Sequence, residues 1–340
     1  MRDGRAPGTM PKVPAAEWLN SELDRLIGMA AGATPGPNPF DARSWTWLKL
    51  AVLDAYIPLY LRILRPRYQR LVFVDLFGGS GVSLYREGAL TVPVPGSSIV
   101  AASYRTPTDP ESDLGYFDHI VAIEKDPDRA DSLRSALDAR GYHDGQNCSV
   151  ILGDANSRVP EIRQILKPRE THALLFADPA GLDLHLQTLR DILRSHSGTD
   201  IFVTHLTSGA GRQLTPDAEH SKMTAVYGSE EWRKCGSRKD LTALYERALK
   251  GLRDIVFPIP VQDGFSGYYY DLFFGVRKTS KGSGWAGAVR SIKSKVNSLT
   301  GKEVERLIRT KVASPSGSGG KVRQRQLIGP PDRPASSGSP

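Results

Sequence analysis

The sequence predicts an α/β fold: a doubly wound, Rossmann-like sheet with a helical insertion and a disordered basic C-terminal tail. Three observations predict it. Apolar runs of strand length recur five times between residues 72 and 203, helical patterns separate the later ones, and four of the five runs end on or beside a carboxylate.

The first run, Val72 to Asp75, breaks through Leu76 and Phe77 into Gly78, Gly79, Ser80 and Gly81. Glycines adopt dihedrals closed to other residues and let a backbone approach a ligand closely, and open α/β sheets bind ligands at the carboxyl edge of their strands. The turn therefore reads as a nucleotide cradle. A purely structural strand-to-helix turn is the alternative, because these glycines only approximate a dinucleotide fingerprint.

The second run, His119 to Glu124, leads into Lys125, Asp126 and Pro127 and a helix over 128–140, with Asp126 as its cap and Pro127 in its first turn. The third, Ser149 to Leu152, ends at Gly153, Asp154 and Ala155. The fourth, Ala173 to Ala177, ends at Asp178, Pro179, Ala180 and Gly181, and the fifth, Asp200 to Val203, at Thr204 and His205. Helices are predicted over 159–166 and 186–193.

An acid after the second strand can accept both hydroxyls of a ribose, and one after the third can meet an adenine amino group. For Asp126 and Asp154 a solvated helix cap is the competing reading. In a dinucleotide site the ribose acid falls about 20 residues past the glycines. Here Glu124 comes much later, after a segment containing Pro93, Pro95, Pro107 and Pro110. S-adenosylmethionine fits better than NAD. A carboxylate-proline turn after the fourth strand suits it, since Asp178 can accept from an amine and aim the nitrogen lone pair at a methyl group.

The set Val74 to Gly81, Gly96 to Ser98, Ile123 to Pro127, Gly153 with Asp154, and Phe176 to Gly181 resembles the three-Cys-motif partner (TcmP) family. Lys49 with the helix Leu50 to Leu64 resembles that family's opening segment. Tyr227, Gly228 and Trp232, and then Tyr270 to Val276 before Gly284, resemble its close. The resemblance spans about residues 43–300. It implies a class I methyltransferase fold and a partner protein that carries the cysteine motif; the two cysteines here are unrelated to that name. The chain departs from the pattern at Ala180, where the family and the similar tRNA guanine-N2 methyltransferases have Phe, and at Ser98, where proline is usual. DNA amino-methyltransferases end their turn on an aromatic where this chain has Gly181, so a flipped base needs another stacking partner, such as the run Tyr268 to Tyr270 or Phe265. A half-buried strand is the other reading of that tyrosine run.

Together these readings place Asp75, Phe77, Gly78, Gly79 and Gly81 at the methionine end of the cofactor, Glu124, Lys125 and Asp126 by the ribose, and Asp154 and Ala155 by the adenine. Asp178, Pro179 and Gly181 form the expected catalytic turn, and Lys49, His205 and Arg212 lie on the substrate side. Thr207 to Arg212 reads as a mobile loop, with Arg212 either gripping a phosphate or carboxylate or simply solvated. A binding module that kept the fold without catalysis, or that needs a partner, remains the alternative.

Other chemistries are disfavoured. Cys148 and Cys235 form no Cys-x-x-Cys pair and neither follows a proline in a nucleophile turn, and the seven histidines show no ligand spacing on one helix. No apolar run reaches the roughly 18 residues of a membrane span, residues 1–40 are broken by six prolines and lack a signal-peptide core, and two cysteines suit a reducing cytoplasm. The net charge of +8 is uneven. Residues 277–340 hold fourteen Lys and Arg against three acids, a surplus able to neutralise nucleic-acid phosphates or to serve as a solvated tail. The expected organisation is a flexible 1–40 extension with a short helix over 17–29, an α/β domain over 41–300 with a helical insertion at 215–257, and a basic helix end and tail over 301–340.

Overall fold

A computed structural model describes residues 13–105, 115–214, 220–262, 269–278 and 284–313. Period-two burial organises its centre. In β2 (Arg70–Asp75), Leu71 and Phe73 enter one apolar cluster, while Val72 and Val74 enter a second cluster on the opposite sheet face. A strand buried on both faces needs helices on both, which is the doubly wound arrangement.

In chain order, β1 (Asp41–Ala42), β3 (Val82–Glu87) and β4 (Leu90–Pro95) make a small three-stranded sheet. The main sheet holds β2, β5 (His119–Glu124), β6 (Cys148–Leu152), β7 (Thr171–Ala177), β8 (Thr199–His205), β9 (Ile255–Gln262) and β10 (Tyr269–Val276). Its order is β6-β5-β2-β7-β8-β10-β9, with β10 antiparallel to both neighbours and the other pairs parallel. This is the class I methyltransferase-like sheet that the sequence predicts. Pro258 and Pro260 sit on the edge strand β9, where a missing N–H is tolerated.

One sheet face is covered by α1 (Ala15–Ala30), α2 (Ser44–Leu64), α3 (Ser97–Ala102), α4 (Pro127–Asp138), α10 (Gly284–Asn297) and α11 (Gly301–Ala313). The other is covered by α5 (Val159–Leu166), α6 (Leu186–Ser195), α8 (His220–Tyr227) and α9 (Arg238–Lys250), with α7 (Thr207–Arg212) following β8. Helix α2 runs between the sheet and the outer helices and is buried nearly all round; its Asp54 is balanced by Arg25 of α1 at 2.8 Å and by the Tyr104 hydroxyl at 2.6 Å.

Several expectations need correcting. The glycine turn leads into the β3–β4 hairpin, and the first crossover helix begins only at Ser97. Pro93 and Pro95 lie in β4, an edge strand, which is why the run reads as irregular. Residues 207–212 are helical, because α7 packs on α9 and β10. The boundaries at 40 and 300 do not break the core: Trp18, Leu19, Leu23 and Leu26 of α1 and Val304, Ile308 and Val312 of α11 join the same cluster as β2. Trp232, Leu241, Leu244, Tyr245 and Leu249 of the insertion are buried on the other face, as their spacing predicts. Residues 1–12 of the expected N-terminal extension and 314–340 of the expected C-terminal tail, together with Pro107, Pro110, Phe265 and Tyr268, lie outside the described residues.

If α1 and α11 belong to the core, Leu23→Ala and Ile308→Ala should each cost about 2–5 kcal/mol, the range for a buried aliphatic truncation, within one cooperative denaturant transition. Helices merely resting on the surface would change stability by less than about 0.5 kcal/mol.

Candidate functional site

The order β6-β5-β2-β7 brings the four strand-end acids to one edge of the sheet. Asp75 ends β2, Glu124 ends β5, Asp154 follows β6 by two residues and Asp178 follows β7 by one. The chain order of these acids differs from their order in space, and only the crossovers align them.

Asp75 is fully buried. Its Oδ2 accepts from the hydroxyls of Ser97 (2.5 Å) and Ser98 (2.8 Å), and its Oδ1 from the Phe77 N–H (3.1 Å). Burial outweighs these bonds and pushes its pKa up to about 6. The residue expected at the methionine end of a cofactor is therefore turned inward, and it ties the glycine turn to the first turn of α3. Ser98, which departs from the family pattern, supplies one of those bonds.

Gly79 and Gly81 have φ of +63° and +82°, so the turn needs glycine there. A Cβ on Gly81 would lie 3.1 Å from Ala136 and 3.3 Å from Leu133, and so the turn's approach to α4 sets part of the requirement. Gly78 is packed likewise, against Leu133.

Glu124 accepts from the Gly79 N–H through Oε2 and from the Asp126 N–H through Oε1, each at 2.9 Å. Asp126 caps α4 by accepting from the Arg129 N–H at 3.0 Å, with Pro127 opening the helix. Lys125 is exposed. Asp154 is exposed and accepts from the Asn156 N–H at 2.8 Å, while Ala155 is buried beneath it in the second cluster. Phe77 is half-buried beside the turn.

Asp178 is half-buried, Pro179 is buried, and Gly181 is half-buried at the end of the turn. The Lys49 ammonium forms an ion pair with Asp178 Oδ2 and lies 5.0 Å from the centre of the Tyr270 ring. The structure thus brings Lys49, expected on the substrate side, directly to the turn after β7 that carries Asp178.

The other two residues expected on the substrate side, His205 and Arg212, are placed differently. His205 is 3% exposed, its Nε2 is 2.7 Å from the Tyr227 hydroxyl, and its ring stacks on Tyr245 at 4.6 Å. Burial pushes its pKa down to about 3, so it is a neutral core residue and is not available to a substrate. Beside it, Asp271 accepts from the hydroxyls of Thr207 and Thr242, each at 2.8 Å. Arg212 is exposed at the end of α7.

Residues from the expected 1–40 extension also reach the site. Phe40 lies over the turn, its ring carbons 3.6 Å from where a Gly79 Cβ would stand, and the Arg129 guanidinium sits 3.9 Å from the ring centre. Arg129 also donates to the Asn38 carbonyl at 3.4 Å and lies 3.9 Å from Glu124 Oε1. Nothing in the local pattern of Pro35, Pro37 and Pro39 signals this crossing, because it depends on where α1 and α2 dock. Two surface clefts lie elsewhere. One, of about 590 Å³, is lined by His185, Arg190 and Thr224; the other, of about 640 Å³, lies at the opposite sheet edge by Arg163, Lys167 and Thr171.

Burial pushes the Cys148 thiol up to about 12, which removes it as a thiolate nucleophile. Among the described residues no helix is long and apolar enough to cross a membrane, and no group of three or more metal-ligating side chains occurs.

Asp75 links this geometry to pH. Its folded-state pKa lies above the ordinary value of 3.8. The native state therefore binds the extra proton between about pH 4 and pH 6, and stability falls as pH rises through that window. Asp75→Asn keeps partners for Ser97, Ser98 and Phe77, so relative to wild type its stability should rise by about 2–3 kcal/mol from pH 4 to pH 7 in urea titrations. Parallel curves for the two proteins would show that Asp75 does not titrate in this way.

No family model matches the chain, and no curated protein does. Solved structures do match. LPL1258 from Legionella pneumophila is 12% identical over 74% of this chain and 94% of that one, with a TM-score of 0.42. The O-methyltransferase TomG from Streptomyces achromogenes, solved with SAM, is 15% identical over 78% and 92%, with a TM-score of 0.39. A putative O-methyltransferase from Klebsiella pneumoniae is 15% identical over 78% and 91%, with a TM-score of 0.38. Likenesses this distant carry no argument about the reaction, and the fold stands on the strand order and directions described above.

Proposed function

We propose that this protein is an S-adenosylmethionine-dependent methyltransferase of the three-Cys-motif partner type that methylates an amine of a nucleic acid. The observation that carries the reading is the row of strand-end acids, Asp154, Glu124, Asp75 and Asp178, along one edge of the sheet. A nucleoside linked to a sulfonium amino acid offers groups in the matching order: adenine at Asp154 and Ala155, ribose hydroxyls at Glu124 flanked by Lys125 and Asp126, and methionine at Phe77, Gly78 and Gly79. Asp75 and Gly81 act indirectly, by holding the turn.

The cofactor supplies an electrophilic methyl group. The chain's share is to bind, to orient and to exclude water. Asp178 accepts a hydrogen bond from the acceptor N–H and fixes the direction of its lone pair, while Pro179 and Gly181 shape the turn around it. Arg212 and the basic surplus of the C-terminal region attract the acceptor's phosphates. Helices α10 and α11 dock on the core, so part of that charge is presented on a fixed surface.

One observation favours a second reading, a module that is silent until a partner or acceptor rearranges it. Glu124 already accepts two backbone N–H groups, Asp178 already holds Lys49, and Phe40 already covers Gly79. A partner protein carrying the cysteine motif would be the natural trigger.

Calorimetric titration with S-adenosylmethionine separates the two. Binding by the isolated chain, weakened at least about tenfold in Glu124→Ala, supports the enzyme. Asp178→Asn should keep that affinity and lose about 100-fold or more of methyl transfer. Equal loss of cofactor affinity would make Asp178 a scaffold residue, and no binding by wild type would leave only the partner-dependent module.

A further inference from the structure

Lys49 sits in the second turn of α2 between buried Leu48 and Leu50, and only 9% of its side chain is exposed. A lysine this buried persists only where its charge is paired. Its partner is Asp178, and the Tyr270 ring lies 5.0 Å away. The Tyr270 hydroxyl donates to the Trp45 carbonyl at 2.8 Å, which pins the ring to α2 one turn before Lys49. Helix, ring and carboxylate therefore fix the ammonium in place.

This inference rests on the reading that Asp178 orients the acceptor nitrogen. Any acceptor reaching Asp178 shares it with Lys49, whose charge already balances that carboxylate. The methyl donor adds a sulfonium, a second positive charge. We infer that Lys49 is a specificity-determining residue: it restricts the acceptor to an uncharged nitrogen, the conjugated exocyclic amine of a nucleobase, and turns away aliphatic ammonium groups such as protein lysine side chains.

Two arguments support this. A third cation next to Lys49 and the sulfonium, in a half-buried site, meets like-charge repulsion that water screens poorly. A nucleobase amine instead arrives neutral and donates an N–H to a lone pair of Asp178 that Lys49 does not use. In the transfer, the nitrogen lone pair forms the new N–C bond while the S–C bond breaks and its electron pair returns to sulfur. The surplus proton on nitrogen leaves to Asp178, and from its exposed side to water. An ammonium has no lone pair until it loses a proton, so it must come up as a cation beside Lys49 and the sulfonium before any base can take that proton.

The test uses the full chain with labelled S-adenosylmethionine at neutral pH and two acceptors, a mixed-sequence single-stranded oligonucleotide pool and a lysine-rich peptide. Cofactor affinity is measured separately by calorimetry. Wild type should methylate the oligonucleotides at least about 100-fold faster than the peptide. Lys49→Met should lower that ratio at least about tenfold by gaining on the peptide, while Lys49→Arg, which keeps the charge, should preserve it. Wild type acting equally on both acceptors, a ratio unmoved in Lys49→Met, or bound cofactor with neither acceptor methylated would overturn the inference. Should Lys49→Met fail to fold by circular dichroism, the wild-type ratio decides. No cofactor binding by wild type would overturn the methyltransferase reading itself, and this inference with it.

Discussion

The buried carboxylate of Asp75 organises everything around it. Placing a carboxylate at the end of a central strand, with no exposed surface, is unfavourable unless donors surround it. The two hydroxyls of α3 and the N–H of Phe77 provide them. Those bonds fix where α3 begins and force the chain after β2 to turn sharply. Gly78 and Gly81 follow from that turn, since the chain then passes close to α4 with little room for side chains, and Gly79 follows from its positive φ. The hairpin β3–β4 fills the excursion between turn and helix, so an insertion of this length leaves the edge of the sheet intact.

A second constraint comes from α2. A helix buried nearly all round brings polar groups into the core, and its buried charges are matched across the fold: Asp54 to Arg25 and Tyr104, and Lys49 to Asp178, with the Tyr56 hydroxyl bonded to Asp200 at 2.9 Å. These pairs give α2 a single register against the sheet, because a shift along its axis would strand several charges at once. The same register delivers Lys49 to the turn after β7. Site and scaffold are therefore coupled: Asp75, Glu124 and Asp178 rest on groups of the chain itself, while Asp154 stays exposed.

Much of the fold is legible locally. The run His119 to Glu124 coincides with β5, the helix over 159–166 with α5, and Asp126 with Pro127 marks the true start of α4, because strand burial and helix capping act within a few residues. The hairpin is missed since Pro93 and Pro95 are acceptable only on an edge, and a sequence does not declare its edges. Thr207 to Arg212 reads as a loop on account of its glycines, yet tertiary packing on α9 and β10 holds it as a helix. His205 misleads for a related reason: its position past a strand suggests the cleft, whereas the aromatic side chains of Tyr227, Tyr245 and Phe273 enclose it.

By itself, the sequence determined the alternating strands and helices, the four acids at strand ends and the glycine turn, since each depends on hydrophobic period and backbone freedom over a few neighbouring residues. Only the tertiary structure decided which acids face inward, that Lys49 reaches Asp178 across 129 positions, and that Phe40 lies over Gly79. Those outcomes depend on how helices dock on the sheet, through burial and charge pairing summed over distant segments, and no local pattern encodes such sums.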